Sequence, residues 1–113
     1  MKTALTMVAI AALSSALAGC GGNEPLGMKE SLDIAGLSQD APTYKNEFAL
    51  AIRDLSAKDQ CQPEAMREQG GFSKVTGSDF YFIYCSEQAN TSSRWYYDPA
   101  NGKLSQDKSE VRG

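Results

Sequence analysis

Phe80-Tyr81-Phe82-Ile83-Tyr84-Cys85 is an unbroken run of aromatic, β-branched and cysteine side chains. That composition is the strongest strand signal in the chain. Strand side chains alternate between faces, so Tyr81, Ile83 and Cys85 share one face and Phe80, Phe82 and Tyr84 the other. Gly77-Ser78-Asp79, just before the run, is a turn signal, and Phe72 to Val75 ahead of it reads as a short strand. After the run, Glu87 to Ser93 is polar and loop-like, and Arg94 to Tyr97 reads as another strand. Asp98-Pro99-Ala100-Asn101-Gly102 follows as a tight turn, in which Pro fixes φ and Asn-Gly accepts positive φ. Lys103 to Ser105 begins a last strand, and the charged tail to Gly113 reads as frayed. The spacing predicts an antiparallel meander of 3–4 strands.

Ahead of the meander the period changes. Pro42 suits the first turn of a helix. Tyr44, Phe48, Ile52 and Leu55 then recur at helical spacing with Ala51 beside them, while Lys45, Glu47, Arg53, Asp54 and Lys58 fall largely off that stripe. The spacing predicts an amphipathic helix over 43–59 with one buried face. Pro63 to Gln69 reads as a second, short helix, closed by Gly70 and Gly71. Helices grouped before antiparallel strands indicate an α+β fold, with the main helix and the short one packed on the meander.

The N-terminus carries a different signal. Lys2 is followed by an uncharged, mostly apolar run from Ala4 to Leu17, too short to span roughly 30 Å of hydrocarbon as a helix. Then comes Leu17-Ala18-Gly19-Cys20, which resembles the lipobox of bacterial lipoproteins at every position. The resemblance implies that residues 1–19 are a cleaved signal peptide. It implies that Cys20 carries covalent lipid and that the protein is held to a membrane; apart from that lipid, no cofactor is expected. Two or three acyl chains anchor stably where one binds only marginally. Gly21 stands where Asp would favour retention in the inner membrane. In a Gram-negative source the implied location is therefore the outer membrane, facing the periplasm, and otherwise the cell membrane. Residues 20–41 are rich in Gly and polar groups and read as a flexible tether, with at most a loose helical turn over 30–37. The folded domain is expected over 42–113.

The chain has three cysteines. With Cys20 taken by lipid, Cys61 and Cys85 remain, and an even pair in an oxidising compartment reads as a disulfide. Closing a loop of about 25 residues stabilises by roughly 3.5 kcal/mol in the chain-entropy model, a useful staple for so small a core. Such a bridge ties the end of the main helix to the face of Tyr81, Ile83 and Cys85. It leaves Phe80, Phe82 and Tyr84 facing away, with Trp95 or Tyr97 able to join them from the next strand. That second face is either open to a partner, as exposed apolar patches often are, or covered by the N-terminal segment or the short helix. The candidate partner-binding residues are Phe80, Phe82, Tyr84 and Trp95.

Composition removes much chemistry. There is no histidine, hence no usual general base, triad or imidazole metal ligand. The chain has a net charge of −3 and its Lys and Arg residues are scattered, which argues against a nucleic-acid partner. Asp79 and Asp98 sit in turns, and Glu64 and Glu68 flank Arg67 on the short helix as a solvated face. The chain reads as a non-enzyme. Tyr96-Tyr97-Asp98-Pro99-Ala100-Asn101-Gly102-Lys103-Leu104, after a helix and a strand, is similar to the end of PepSY-type domains. There a strand runs into an Asp-Pro-x-x-Gly turn and a final short strand, although the disulfide is not part of that pattern. That resemblance implies a binding module associated with protease inhibition or envelope regulation. The expected function is a lipid-anchored, non-catalytic binding or accessory module with an envelope protein as partner. The alternatives are a phage- or plasmid-type exclusion or immunity lipoprotein, and a periplasmic protease or hydrolase inhibitor.

Overall fold

The computed structural model describes residues 24–112. The expected signal peptide and Cys20 lie outside the described residues. In chain order the elements are α1 (Met28–Ala35), α2 (Ala41–Ser56), α3 (Pro63–Glu68), β1 (Ser73–Lys74) and β2 (Tyr81–Tyr84). A 3-10 turn (Thr91–Ser93), β3 (Arg94–Asp98), β4 (Lys103–Ser105) and α4 (Lys108–Arg112) follow. The strands form one antiparallel sheet in the order β1-β2-β3-β4, so the expected α+β architecture holds.

The core is built on the predicted stripe. Phe48, Ala51, Ile52 and Leu55 of α2 are buried against Tyr81, Ile83 and Tyr97 of the sheet. Phe48 is its centre, with ring centroids 4.9 Å from both Phe72 and Tyr81 and 6.2 Å from Tyr97. Burying such side chains is worth about 1.5–3 kcal/mol each. The helix begins at Ala41 because Pro42 occupies its first turn, and a non-helical Tyr44 (φ −122°, ψ 19°) kinks it there. Asp40, in the left-handed region at φ 62°, precedes it, and its carboxylate accepts the Tyr81 hydroxyl proton at 2.6 Å. Burial first, and then this bond to Asp40, push the Tyr81 hydroxyl pKa upward.

The Cys61–Cys85 disulfide is present, joining the segment after α2 to the end of β2 with Cα atoms 4.3 Å apart. Gln62 N donates to Cys85 O beside it. Both cysteines are fully buried.

Two expectations are overturned. The stretch 20–41 is not a tether as far as it is described. Its α1 buries Ser31, Ile34 and Ala35 completely, and its packing on α2 is the most extensive contact between any two elements. Small side chains at 31 and 35 allow that close approach. The chain is already docked at Leu26, whose N–H donates to Ser56 Oγ at 2.9 Å and whose carbonyl accepts from Arg53 Nε at 3.0 Å. Ser56 Oγ itself donates to Arg53 O at 2.7 Å, so this buried hydroxyl is fully used.

The turn after α1 also builds the sheet edge. Gln39 N donates to Phe72 O, Lys74 N to Gln39 Oε1, and Phe72 N to Ser38 Oγ. Gly71 makes this possible. It sits at φ 74°, and a Cβ there would lie 2.3 Å from Ser38 Oγ and 2.8 Å from Ile34 O.

The tail is likewise ordered. Asp107 caps α4, its carboxylate accepting from Ser109 N at 3.0 Å and from Ser109 Oγ at 2.8 Å. Those two bonds lower its pKa. Val111 is fully buried although it stands outside the main core cluster.

Candidate functional site

Register decides which residues share the second face of the sheet. Phe82 pairs with Tyr96 and Tyr84 with Arg94, whereas Ile83 pairs with Trp95 and Tyr81 with Tyr97. The face opposite α2 therefore carries Phe82, Tyr84, Arg94 and Tyr96. Trp95 does not join it. It lies on the helix side, partly buried against the main core, with Lys58 Nζ 5.0 Å from its ring centroid.

Phe80 has the right parity but is only 5% exposed. Its ring stands edge-on to Tyr96, with centroids 6.1 Å apart. Beyond the short helix, whose Ala65 and Glu68 lie beside Tyr84 at the sheet edge, this face has one further cover. It is α4, which contacts β3 and β4 and brings Asp107 and Lys108 beside Arg94 and Tyr96. The second face is thus half covered. Phe82, Tyr84, Arg94 and Tyr96 remain partly exposed.

Arg94 organises what remains open. Its Nε and Nη2 both donate to the Tyr84 hydroxyl, at 3.0 and 2.6 Å, and Nη1 donates to the Tyr96 hydroxyl at 3.0 Å. The guanidinium carbon is 5.1 Å from the Tyr84 ring centroid, 5.7 Å from Phe82 and 6.0 Å from Tyr96. The bond to Tyr96 raises the Arg94 pKa; burial opposes it and Tyr84 reinforces it. A cation over aromatic faces gains about 0.5–1 kcal/mol per contact at exposed sites. Three such faces and two hydroxyls fix this long side chain in one conformation. Arginine and tyrosine are also the residue types that dominate protein contact energies.

The β2 backbone beside this cluster is held by a side chain in place of a strand. β1 pairs only with Phe82 and Tyr81. At Tyr84 the Gln69 amide takes over, Oε1 accepting from Tyr84 N at 2.8 Å and Nε2 donating to Tyr84 O. Nε2 also donates to Ala65 O at 3.1 Å. Beyond it, the loop to β3 is pinned: Ser93 Oγ donates to Gln88 O at 2.6 Å and the Asn90 side chain accepts from Ser92 N at 3.0 Å.

A second feature lies on the other side of the sheet. Pro25, Leu50, Arg53, Lys58, Trp95 and Leu104 line a groove between the C-terminal half of α2 and the β3–β4 hairpin, with Asp54 among its walls. Leu50 is 52% exposed there. Trp95 Nε1 is buried with no hydrogen-bond partner in the protein.

Among the described residues no three His, Cys, Asp or Glu side chains are grouped to hold a metal ion, and no helix is long and apolar enough to cross a membrane. No family model, no curated protein and no solved structure matches the chain.

Proposed function

We propose that the chain is a lipid-anchored, non-catalytic binding module of the bacterial envelope. It is carried on acylated Cys20 at the periplasmic face of the outer membrane and contacts a protein partner through Phe82, Tyr84, Arg94 and Tyr96. The observation that carries the reading is the half-open aromatic face with Arg94 locked at its centre. Side chains ordered before binding lose less entropy on association. A buried disulfide suits an oxidising compartment, in line with the lipobox-like Leu17-Ala18-Gly19-Cys20. The lack of histidine argues against general-base catalysis.

The test is crosslinking in the native cell from a photoreactive residue at position 84, followed by mass spectrometry. One dominant envelope protein, lost in Phe82→Ser and in unanchored Cys20→Ala, supports the reading. Phe82 is partly exposed and outside the main core cluster, and the fold of Phe82→Ser is checked by circular dichroism. Recovery that does not change in Phe82→Ser removes this face as the contact surface. Capture only when a phage or plasmid receptor is supplied moves the reading to exclusion.

A second reading, inhibition of an envelope hydrolase, draws on the pinned loop between β2 and β3. Exposed loops that are internally hydrogen-bonded can enter an active site with little rearrangement. Soluble protein spanning 21–113, titrated against envelope hydrolases, checks it by loss of turnover.

A further inference from the structure

The folded domain begins far closer to Cys20 than a tether over 20–41 allows. Leu26 is fixed to α2 by bonds to Ser56 and Arg53, and Pro25 already lines the groove. A chain extends at most about 3.3–3.6 Å per residue, so Cys20 and Leu26 can be no more than roughly 22 Å apart. An acyl anchor on Cys20 therefore keeps Leu26 within that distance of the bilayer. The surface around Pro25 is the one drawn against it.

That surface has the chemistry of a bilayer interface. Leu50 projects half-exposed from α2. Trp95 lines the same groove, partly exposed, with its Nε1 buried and without an acceptor in the protein. An indole whose apolar body is partly open at the surface is a side chain that membranes collect at headgroup depth. Arg53 and Lys58 flank the groove, where Arg53 Nε donates to Leu26 O and Lys58 Nζ lies over the Trp95 ring; long cations so placed bring positive charge to the depth of lipid phosphates. Asp54 offsets part of that charge.

Resting on the anchor reading above, we propose that the groove between α2 and the β3–β4 hairpin is the lipid-facing side of the domain. It seats on the phospholipid surface with Leu50 and Trp95 at headgroup level and Arg53 and Lys58 on the phosphates. The lipid-facing side is therefore not the Arg94 face, which lies on the far side of the sheet.

Trp95 is the single tryptophan of the chain, so its fluorescence reads this contact without ambiguity. The full-length protein, purified from membranes, is placed in phosphatidylethanolamine–phosphatidylglycerol vesicles whose acyl chains carry bromine near the headgroup. Intact mass reports acylation of Cys20 independently. The expected result is loss of Trp95 emission relative to unbrominated vesicles. That loss disappears in Leu50→Asp, an exposed substitution whose fold is checked by circular dichroism. Acylated, vesicle-bound protein with unquenched Trp95 overturns the orientation and leaves the anchor intact. Quenching that survives Leu50→Asp removes the groove as the contact. A Cys20 without acyl chains removes the anchor reading, and this proposal with it.

Discussion

Gly71→Ala tests whether the segment around Ser38 belongs to the folded domain. Gly71 has φ 74°, a conformation that costs an L side chain about 1–2 kcal/mol. The added Cβ would also meet Ser38 Oγ at 2.3 Å and Ile34 O at 2.8 Å, neither of which can stay in place. Displacing Ser38 breaks its bond to the buried Phe72 N–H, and an orphaned buried donor costs about 1–3 kcal/mol. The expected total is about 2–5 kcal/mol, a large share of the stability of a small domain. Gly77→Ala is the internal control. Gly77 has nearly the same φ, 77°, but nothing within 4 Å of its Cβ position, so only the backbone cost of about 1–2 kcal/mol applies. Urea unfolding with the disulfide intact, followed by Trp95 fluorescence, reads both. With a slope near 1 kcal/mol/M, the midpoint falls by roughly 2–5 M for Gly71→Ala and 1–2 M for Gly77→Ala. Equal shifts would refute the reasoning, because they would mean that the Ser38 turn moves aside freely.

Ile34→Ala empties a fully buried position on α1 and is expected to cost about 2–5 kcal/mol. Leu37→Ala, three residues on and 54% exposed, should stay within about 0.5 kcal/mol in the same urea assay. Replacing both Cys61 and Cys85 by Ala releases the loop they close and should lower unfolding free energy by about 3.5 kcal/mol, read from the denaturant midpoint with the slope fitted separately. Alkaline pH should destabilise the fold. Burial raises the Tyr81 and Tyr97 pKa values above those of free tyrosine, with Asp40 adding to the first and Glu47 to the second. Unfolded tyrosines ionise above about pH 10 while these two keep their protons. Their stabilisation is complete below that pH and declines above it, by up to about 1.4 kcal/mol per pH unit for each group. Asp40→Asn should lessen this decline in an alkaline unfolding titration.

What the sequence revealed followed the size of the side chains involved. The α2 stripe and the strand at 80–85 each place several large apolar groups at one period, and both elements stand where that period puts them. The pairing of Cys61 with Cys85 needed only cysteine arithmetic. The α1 helix escaped because its buried face is Ser31, Ile34 and Ala35, with one large apolar residue and two small ones. A hydrophobicity reading sees a linker there. The glycines at 27 and 36 that bracket it were the available boundary signal. Helix α4 escaped for a similar reason, having Val111 alone to bury. Asp107 followed three residues later by Glu110 was its sign. Trp95 was placed on the wrong face because alternation along β3 says only which of its residues go together. Which set meets the helix is fixed by pairing across the β2–β3 loop, and no periodicity within β3 contains that information.

That register now bears on function as well as on folding. A slip of one residue along β3 would exchange its two faces, carrying Arg94 and Tyr96 to the helix side and Trp95 and Tyr97 out. Burying the Arg94 charge without its two hydroxyl partners would be costly. Two local devices hold the register. At one end Cys85 N donates to Ser93 O at 2.8 Å, with Ser93 itself fixed to Gln88. At the other, Gly102 N donates to Asp98 O at 2.8 Å across the β3–β4 turn. The disulfide adds a third, since it seats Cys85, the residue that begins this loop, against the segment after α2. On the readings proposed above, one strand thereby presents Trp95 to lipid and Arg94 to a protein partner on opposite sides. The partner face then points away from the bilayer without any long tether to lift it. A domain whose anchoring side and contact side alternate along a single strand needs its register fixed more firmly than packing of so small a core would ensure. The pinned loop and the tight turn hold β3 at its two ends, and the covalent bridge holds the end of β2 that leads into that loop.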